Sequence, residues 1–125
     1  MNKKLQIIIF TAFCLIASPT VRAQSGVPGV YDNITANKQS GDLDGMRVFI
    51  VSAGSGYHAI VQIAQGGVDD PEPAFVTVKV KGKTVEFVAG GSKYTGVVSA
   101  AGLRLKDPDG NYETLKRKPC AAFLK

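Results

Sequence analysis

The clearest pattern in the chain is an alternation of apolar and polar residues over 75–88, FVTVKVKGKTVEFV. A period of two predicts two strands, each with one packed face and one solvated face. If Gly82 and Lys83 form a two-residue turn with glycine first, the predicted hairpin sets Val80 opposite Val85, Val78 opposite Phe87 and Lys79 opposite Glu86. A turn at 81–82 would lose the attraction between Lys79 and Glu86, so the first register is favoured.

Other short apolar stretches predict strands at 30–35, 46–52, 57–65, 93–99, 103–106 and 112–118. Residues 36–45 predict a loop or distorted strand, and Gly96 predicts a bulge or a sharp bend. No stretch keeps a helical period over three turns. The expected fold is therefore all-β, an antiparallel meander of seven to eight short strands forming a small closed barrel, with a β-sandwich as the alternative. The side chains predicted to fill the barrel interior are those of Val48, Ile50, Val61, Ile63, Val78, Val80, Val85, Phe87, Val97 and Leu105.

The first 23 residues predict a cleaved secretory signal peptide. Lys3 and Lys4 precede an apolar run at 5–17, and Val21-Arg22-Ala23 fits a cleavage site. The run is short for a bilayer span and Pro19 follows it, so no stable membrane anchor is expected. The mature chain, 24–125, is predicted to be one β domain exported to the periplasm or the extracellular space. The apolar tail at 121–124 predicts a short helix that plugs an end or covers an edge.

Removal of the signal changes the charge of the chain. The full sequence has 15 basic and 10 acidic side chains, and loss of Lys3, Lys4 and Arg22 lowers the formal net charge from +5 to +2. This small excess gives no general argument for nucleic-acid binding, so no nucleic-acid partner is expected. The charge is nevertheless uneven, with six acids and two bases over 24–78 and four acids and ten bases from Lys79 onward. Lys116-Arg117-Lys118 and the hairpin lysines predict either a solvated face or a basic patch for an anionic glycan, lipid head group or acidic protein.

No residue pattern points to catalysis. His58 is the sole histidine, and the serines lack the Gly-x-Ser-x-Gly elbow of a nucleophile. Cys120 is the sole thiol of the mature chain, which leaves no internal disulfide; we expect it to be buried against the tail, with an intermolecular disulfide as the alternative. No enzymatic activity and no catalytic residue are predicted.

Two acidic segments were considered as metal sites. Asp107 to Asn111 has oxygen-bearing side chains at alternate positions, but Lys118 stands where a calcium loop needs glutamate, and a hairpin turn explains the same residues. A second acidic group lies in two loops and comprises Asp42, Asp44, Asp69, Asp70 and Glu72. Solvated loop carboxylates are the commoner explanation, so no metal and no cofactor are predicted.

Gly29-Val30-Tyr31 in the first strand and Arg117 in the last resemble the calycin plan of lipocalins and avidins. In that family an aromatic residue, usually Trp, closes one end of the barrel and a basic side chain from the last strand packs across it. The resemblance covers most of the mature chain in pattern and is specific at two positions, with Tyr in place of Trp. It implies a lumen or open end that receives a small ligand, and it implies no catalytic residue.

The expected function is binding of a small amphipathic molecule or an envelope component, with Tyr31, Tyr57, Tyr94 and Arg117 as the candidate ligand-binding residues. Tyrosines at strand ends suit pockets that are mostly apolar with a few polar groups. The alternative is a protein-interaction or inhibitor module with a filled core, acting through its charged faces and the loop at 66–73, in which case the partner is a protein.

Overall fold

A computed structural model describes residues 26–120, and all nine of its regular elements are strands. They are β1 (Gly29–Asp32), β2 (Thr35–Ala36), β3 (Leu43–Ala53), β4 (Gly56–Gln65), β5 (Ala74–Lys81), β6 (Thr84–Ala89), β7 (Ser92–Ser99), β8 (Gly102–Lys106) and β9 (Tyr112–Lys118). Over 26–120, no helix has the length and apolar character needed to cross a membrane. The predicted signal at 1–23 and the predicted tail helix at 121–124 lie outside the described residues.

Eight of the strands close into an antiparallel barrel. Each strand from β3 to β9 pairs with the next in sequence, and β1 pairs with both β3 and β9. The two-residue strand β2 is an addition that pairs with β3 alone. The predicted meander and closed barrel are confirmed. The segment predicted as one strand at 30–35 is divided into β1 and β2, and β3 is longer than predicted at both ends.

The register of the central hairpin is confirmed where β5 and β6 pair. Lys79 lies opposite Glu86 and Val80 opposite Val85, with Gly82 in the turn at a φ of 61°. The ladder then ends at Lys79 and Glu86, so Val78 and Phe87 are not paired as predicted. Further from the turn, residues 74–78 of β5 pair with β4 on the other edge of the strand.

The barrel interior is packed with side chains. Its core cluster comprises Val27, Tyr31, Met46, Val48, Ile50, Ala59, Val61, Val78, Val85, Phe87, Ala89, Tyr94, Val98, Leu103, Leu105 and Leu115. Of the ten residues predicted to fill it, seven belong to this cluster, while Ile63 and Val80 are half-buried and pack against it. The prediction for Val97 is wrong, because Gly96 takes the inward position and Val97 points outward with 51% of its surface exposed.

Gly96 is a site of close packing and not a bulge. It pairs with Val85 on one side and Leu105 on the other, and the register is continuous through both neighbours. A Cβ at this position would lie 2.7 Å from Leu105 Cδ2 and 2.9 Å from both the Arg104 carbonyl oxygen and Leu103 Cδ1. Glycine therefore lets two leucines of β8 pack over the backbone of β7.

We predict that Gly96→Ala destabilises the fold by about 1–3 kcal/mol, because overpacked cores shift side chains and backbone. The midpoint of urea unfolding measures the effect. Gly56→Ala is the matched control: a Cβ there meets no atom within 4 Å, so its midpoint should stay level or rise slightly. Equal midpoints for the two variants would contradict the packing role of Gly96.

Candidate functional site

The topology gives the barrel two distinct ends. The turns at 54–55, 82–83 and 100–101 lie at one end, together with the residues that precede β1 and the end of β9. We call this the Arg117 end. The loop at 66–73 and the turns at 90–91 and 107–111 lie at the opposite end, which we call the Tyr94 end.

At the Arg117 end, Tyr31 and Arg117 form one hydrogen-bonded unit. The Tyr31 hydroxyl donates to the Val27 carbonyl at 2.7 Å, and Arg117 Nη2 donates to that hydroxyl at 2.7 Å. The guanidinium also donates to the carbonyls of Pro28 at 3.2 Å and Gly26 at 2.6 Å, and its Cζ lies 5.0 Å from the centre of the Tyr31 ring. These bonds tie the segment before β1 to β9, the strand that pairs with β1.

Gly29 permits this arrangement, because a Cβ at that position would lie 2.9 Å from Arg117 Nη1. Tyr31 is fully buried, and burial raises the pKa of its phenol, while the nearby Arg117 charge acts in the opposite direction. The neutral phenol is thus the form that this end of the barrel holds. The aromatic and basic pair expected from the resemblance is present in contact, and its polar atoms are already bonded to protein groups.

The structure does not bring the four predicted ligand-binding residues together. Tyr57 lies at the start of β4, half-buried, at the same end as Tyr31 and Arg117. Tyr94 lies at the other end of the barrel, where its ring stacks on Phe87 with 5.5 Å between ring centres. Burial, with smaller effects from Glu113 and Asp107, raises the Tyr94 pKa. Both Tyr31 and Tyr94 are therefore built into the core.

The outer face of β5 to β9 is strongly basic. By strand alternation it presents seven cations and one anion, Glu86; the cations are Lys79, Lys81, Lys93, Arg104, Lys106, Lys116 and Lys118. Glu86 contacts Lys93 at 3.0 Å and Lys79 at 3.7 Å, and the Lys93 hydrogen bond is the main reason that the Glu86 pKa is lowered. Arg117 is absent from this face because it turns inward, so the basic triplet at 116–118 is divided between the two faces.

A groove of about 500 Å³ lies on this basic face. Its lining is Thr84, Thr95, Gly96, Val97, Ser99, Arg104, Lys106 and Tyr112. The Tyr112 ring, 58% exposed, has Arg104 Cζ 4.4 Å from its centre and Lys106 Nζ 5.7 Å away. We call this the Tyr112 groove. Sequence reasoning missed it, although the alternation of β8 and β9 placed Arg104, Lys106 and Tyr112 on one face.

The remaining candidate residues from the sequence are His58, Asp107 and Cys120. The His58 ring stacks on Phe75 with 5.4 Å between centres. Asp107 accepts hydrogen bonds from the Asn111 backbone at 2.7 Å and side chain at 3.0 Å; these bonds shape the turn and lower the Asp107 pKa. Cys120 is exposed, so its predicted burial is wrong. Within residues 26–120, no three His, Cys, Asp or Glu side chains gather into a possible metal site.

Comparison with known proteins finds no match among family models, curated proteins or solved structures.

We predict that Tyr31→Phe lowers the free energy of unfolding at pH 7 by about 1–3 kcal/mol, because it leaves the Val27 carbonyl and the Arg117 guanidinium without their shared partner. Urea unfolding measures the loss. Tyr112→Phe is the control, since that hydroxyl is on an exposed ring and its removal should change stability little.

The comparison of wild type with Tyr31→Phe also tests the direction of the Tyr31 pKa shift. The pKa of Tyr31 in the folded protein lies above that of an unfolded tyrosine, about 10. The neutral phenol therefore contributes fully to the free energy of unfolding below about pH 10, and this contribution falls as the pH rises through the folded pKa. The stability gap between wild type and Tyr31→Phe should therefore narrow above about pH 10. A gap that widens with rising pH would show that Arg117 holds a phenolate instead.

Proposed function

We propose that this protein is an exported, non-enzymatic binding protein that takes an anionic amphiphile of the cell envelope in the Tyr112 groove. The observation that carries the proposal is the groove itself, an exposed aromatic ring bracketed by two cations on a face with seven positive charges. The ligand contacts the outside of the barrel and not its lumen.

Packing of the interior supports an external site. The core cluster holds sixteen side chains, among them two of the three tyrosines that the sequence assigned to a ligand, Tyr31 and Tyr94, and the third, Tyr57, packs against it. Opening the Arg117 end to a ligand would break the hydrogen bonds that Arg117 makes to Gly26, Pro28 and Tyr31. A ligand at that end would have to replace these charge-assisted hydrogen bonds, so entry there is disfavoured.

The chemistry of the groove suits an amphiphile. Val97 and Tyr112 are more than half exposed and offer apolar surface next to the cations of the groove. Arg104 and Lys106 stand beside the ring and can donate to a phosphate or sulfate, while the threonine hydroxyls at the rim offer further hydrogen bonds. A volume of about 500 Å³ is within the ordinary range for small-molecule sites.

The surrounding charge supports an anionic ligand. The one acid of the face, Glu86, is already bonded to Lys79 and Lys93, which leaves an excess of cations around the groove. Such a field raises the local concentration of anions and the association rate, and it weakens as salt screens it. Binding should therefore decline with ionic strength.

We also infer that the barrel is of the calycin type. The support is the contact between the first-strand aromatic and the last-strand base, with glycine two residues before the aromatic, in a closed eight-strand antiparallel barrel.

A protein-interaction role is the second candidate function, and an interruption of the sheet between β5 and β6 favours it.

Dodecyl phosphate, kept below its micelle concentration, is the probe for the Tyr112 groove. We predict shift changes of the Thr95, Val97 and Arg104 amides in NMR spectra, with a titration that weakens as salt is raised. Arg104→Gln combined with Lys106→Gln should weaken binding tenfold or more, since hydrogen bonds to charged groups contribute about 1.5–3 kcal/mol each. Tyr112→Ala should weaken it as well.

Lys38→Gln is the charge control, and it removes one positive charge where the double variant removes two. Lys38 is exposed in the connection between β2 and β3, away from the basic face, and its loss should leave the affinity unchanged. Dodecyltrimethylammonium has the same chain with the opposite charge and should not bind. Equal binding of the two detergents, or unchanged binding by the double variant, would overturn the proposal.

A further inference from the structure

The sheet is interrupted between β5 and β6. The two strands pair from the turn at 82–83 as far as Lys79 and Glu86, and no further. Both nevertheless continue, because β5 pairs with β4 over 74–78 and β6 pairs with β7 as far as Ala89. The strands therefore diverge, and the space between Ala74–Val78 and Phe87–Ala89 is here called the β5–β6 gap.

The direction of the free backbone groups follows from the alternation of an antiparallel ladder. Lys81 and Thr84 flank the two-residue turn and exchange both hydrogen bonds, so every second residue of β5 points its N–H and C=O towards β6. Continued past Lys79, this rule places the backbone groups of Thr77 towards the gap.

The same rule applies to β6. Ala89 and Ser92 flank the turn at 90–91, so Ala89 bonds to β7, and Val88 points its N–H and C=O the other way, towards β5. Thr77 and Val88 thus present two donors and two acceptors to the gap. Within the described residues, no ladder joins these two positions.

The gap is open at these residues. A pocket of about 340 Å³ is lined by Val76, Thr77, Lys79, Glu86, Phe87 and Val88. Val76 and Phe87 belong to the inward faces and Thr77 and Val88 to the outward faces, so residues of both faces of the two strands line the pocket. Beside it, Phe75 is 72% exposed and Val88 56% exposed, and His58 stacks on the Phe75 ring.

We propose that the β5–β6 gap receives an extended segment of a partner polypeptide, which pairs with the backbone of Thr77 and Val88. The backbone of an extended segment carries N–H donors and C=O acceptors in alternation, and these can pair with the gap-facing groups of Thr77 and Val88. An alkyl chain has neither donors nor acceptors. Apolar side chains of the segment would pack against Phe75 and Val88. At the closed end of the gap, the group formed by Lys79, Glu86 and Lys93 favours a polar residue.

The probe is a set of acetylated, amidated pentapeptides in which Thr alternates with Val, Leu or Phe. We expect at least one of them to shift the Thr77 and Val88 amide signals of the full mature chain and to slow their hydrogen exchange at least tenfold. Signals of the Tyr112 groove, such as Val97 and Arg104, should stay in place. Without peptide, the Thr77 and Val88 amides should exchange faster than that of Glu86, which is paired.

Val88→Pro is the sharpest variant, because it removes the gap-facing N–H without removing a bond to β7, and it should weaken peptide binding at least tenfold. Val88→Ala keeps the N–H and should retain most of the binding. A peptide methylated at its backbone nitrogens provides the same test on wild-type protein if the proline variant does not fold, and it should not bind.

Three results would overturn the inference. They are protection of the Thr77 and Val88 amides equal to that of Glu86 in the free protein, no response of these amides to any peptide at millimolar concentration, and a response to dodecanoate but not to peptides. The last would assign the gap to an alkyl chain. None of these outcomes bears on dodecyl phosphate binding at the Tyr112 groove, so the two proposals fail separately.

Discussion

Closure of the barrel depends on β1, a strand of four residues that must pair with β3 on one side and β9 on the other. So short a strand makes few ladder bonds, and the Tyr31 and Arg117 unit reinforces it. The hydroxyl bonds to Val27 just before the strand, and the guanidinium reaches Gly26 and Pro28 from β9. Since closure removes the edges of the sheet, the arrangement of all the other strands follows from holding β1 in place.

This closure also decides where binding chemistry can be. Inward positions are occupied by apolar side chains and by the Tyr31 hydroxyl, whose acceptor and donor capacities are used. Apart from Glu113 and Arg117, which take inward positions near the two ends of β9, the charged groups of β5 to β9 point outward, where cations are in large excess. Because β-strands alternate, the apolar pattern that fills the core is the same pattern that arrays Arg104, Lys106 and Tyr112 together outside.

Much of the fold could be predicted, since the approximate positions of most strands, the meander order and the hairpin register next to the turn follow from alternation and glycine turns. Val97 was misplaced because Val97 and Val98 are adjacent, and the pattern does not mark which one faces inward when Gly96 occupies the preceding core position. Tyr31 and Arg117 came from a resemblance and not from periodicity. The Tyr112 groove was missed because its residues come from different strands, and their proximity depends on the pairing of β8 with β9.

The β5–β6 gap is best understood beside another place where a strand changes partner. In β9, residues 112–115 pair with β8 and 116–118 with β1. There the changeover is bridged: Asn33 Nδ2 donates to Glu113 Oε2 at 2.8 Å, and Asn33 Oδ1 accepts from the Met46 amide at 2.7 Å.

In β5 the changeover occurs between Val78 and Lys79, and among the described residues the only side-chain ion pair from β5 to β6 is that of Lys79 with Glu86. A closed barrel needs strands that change partner, but hydrogen bonds can still join the strands at such a point, as those of Asn33 do beside β9. The difference between the two corners is therefore a property of this sequence, and it leaves the facing backbones of β5 and β6 without a ladder between them beyond Lys79 and Glu86.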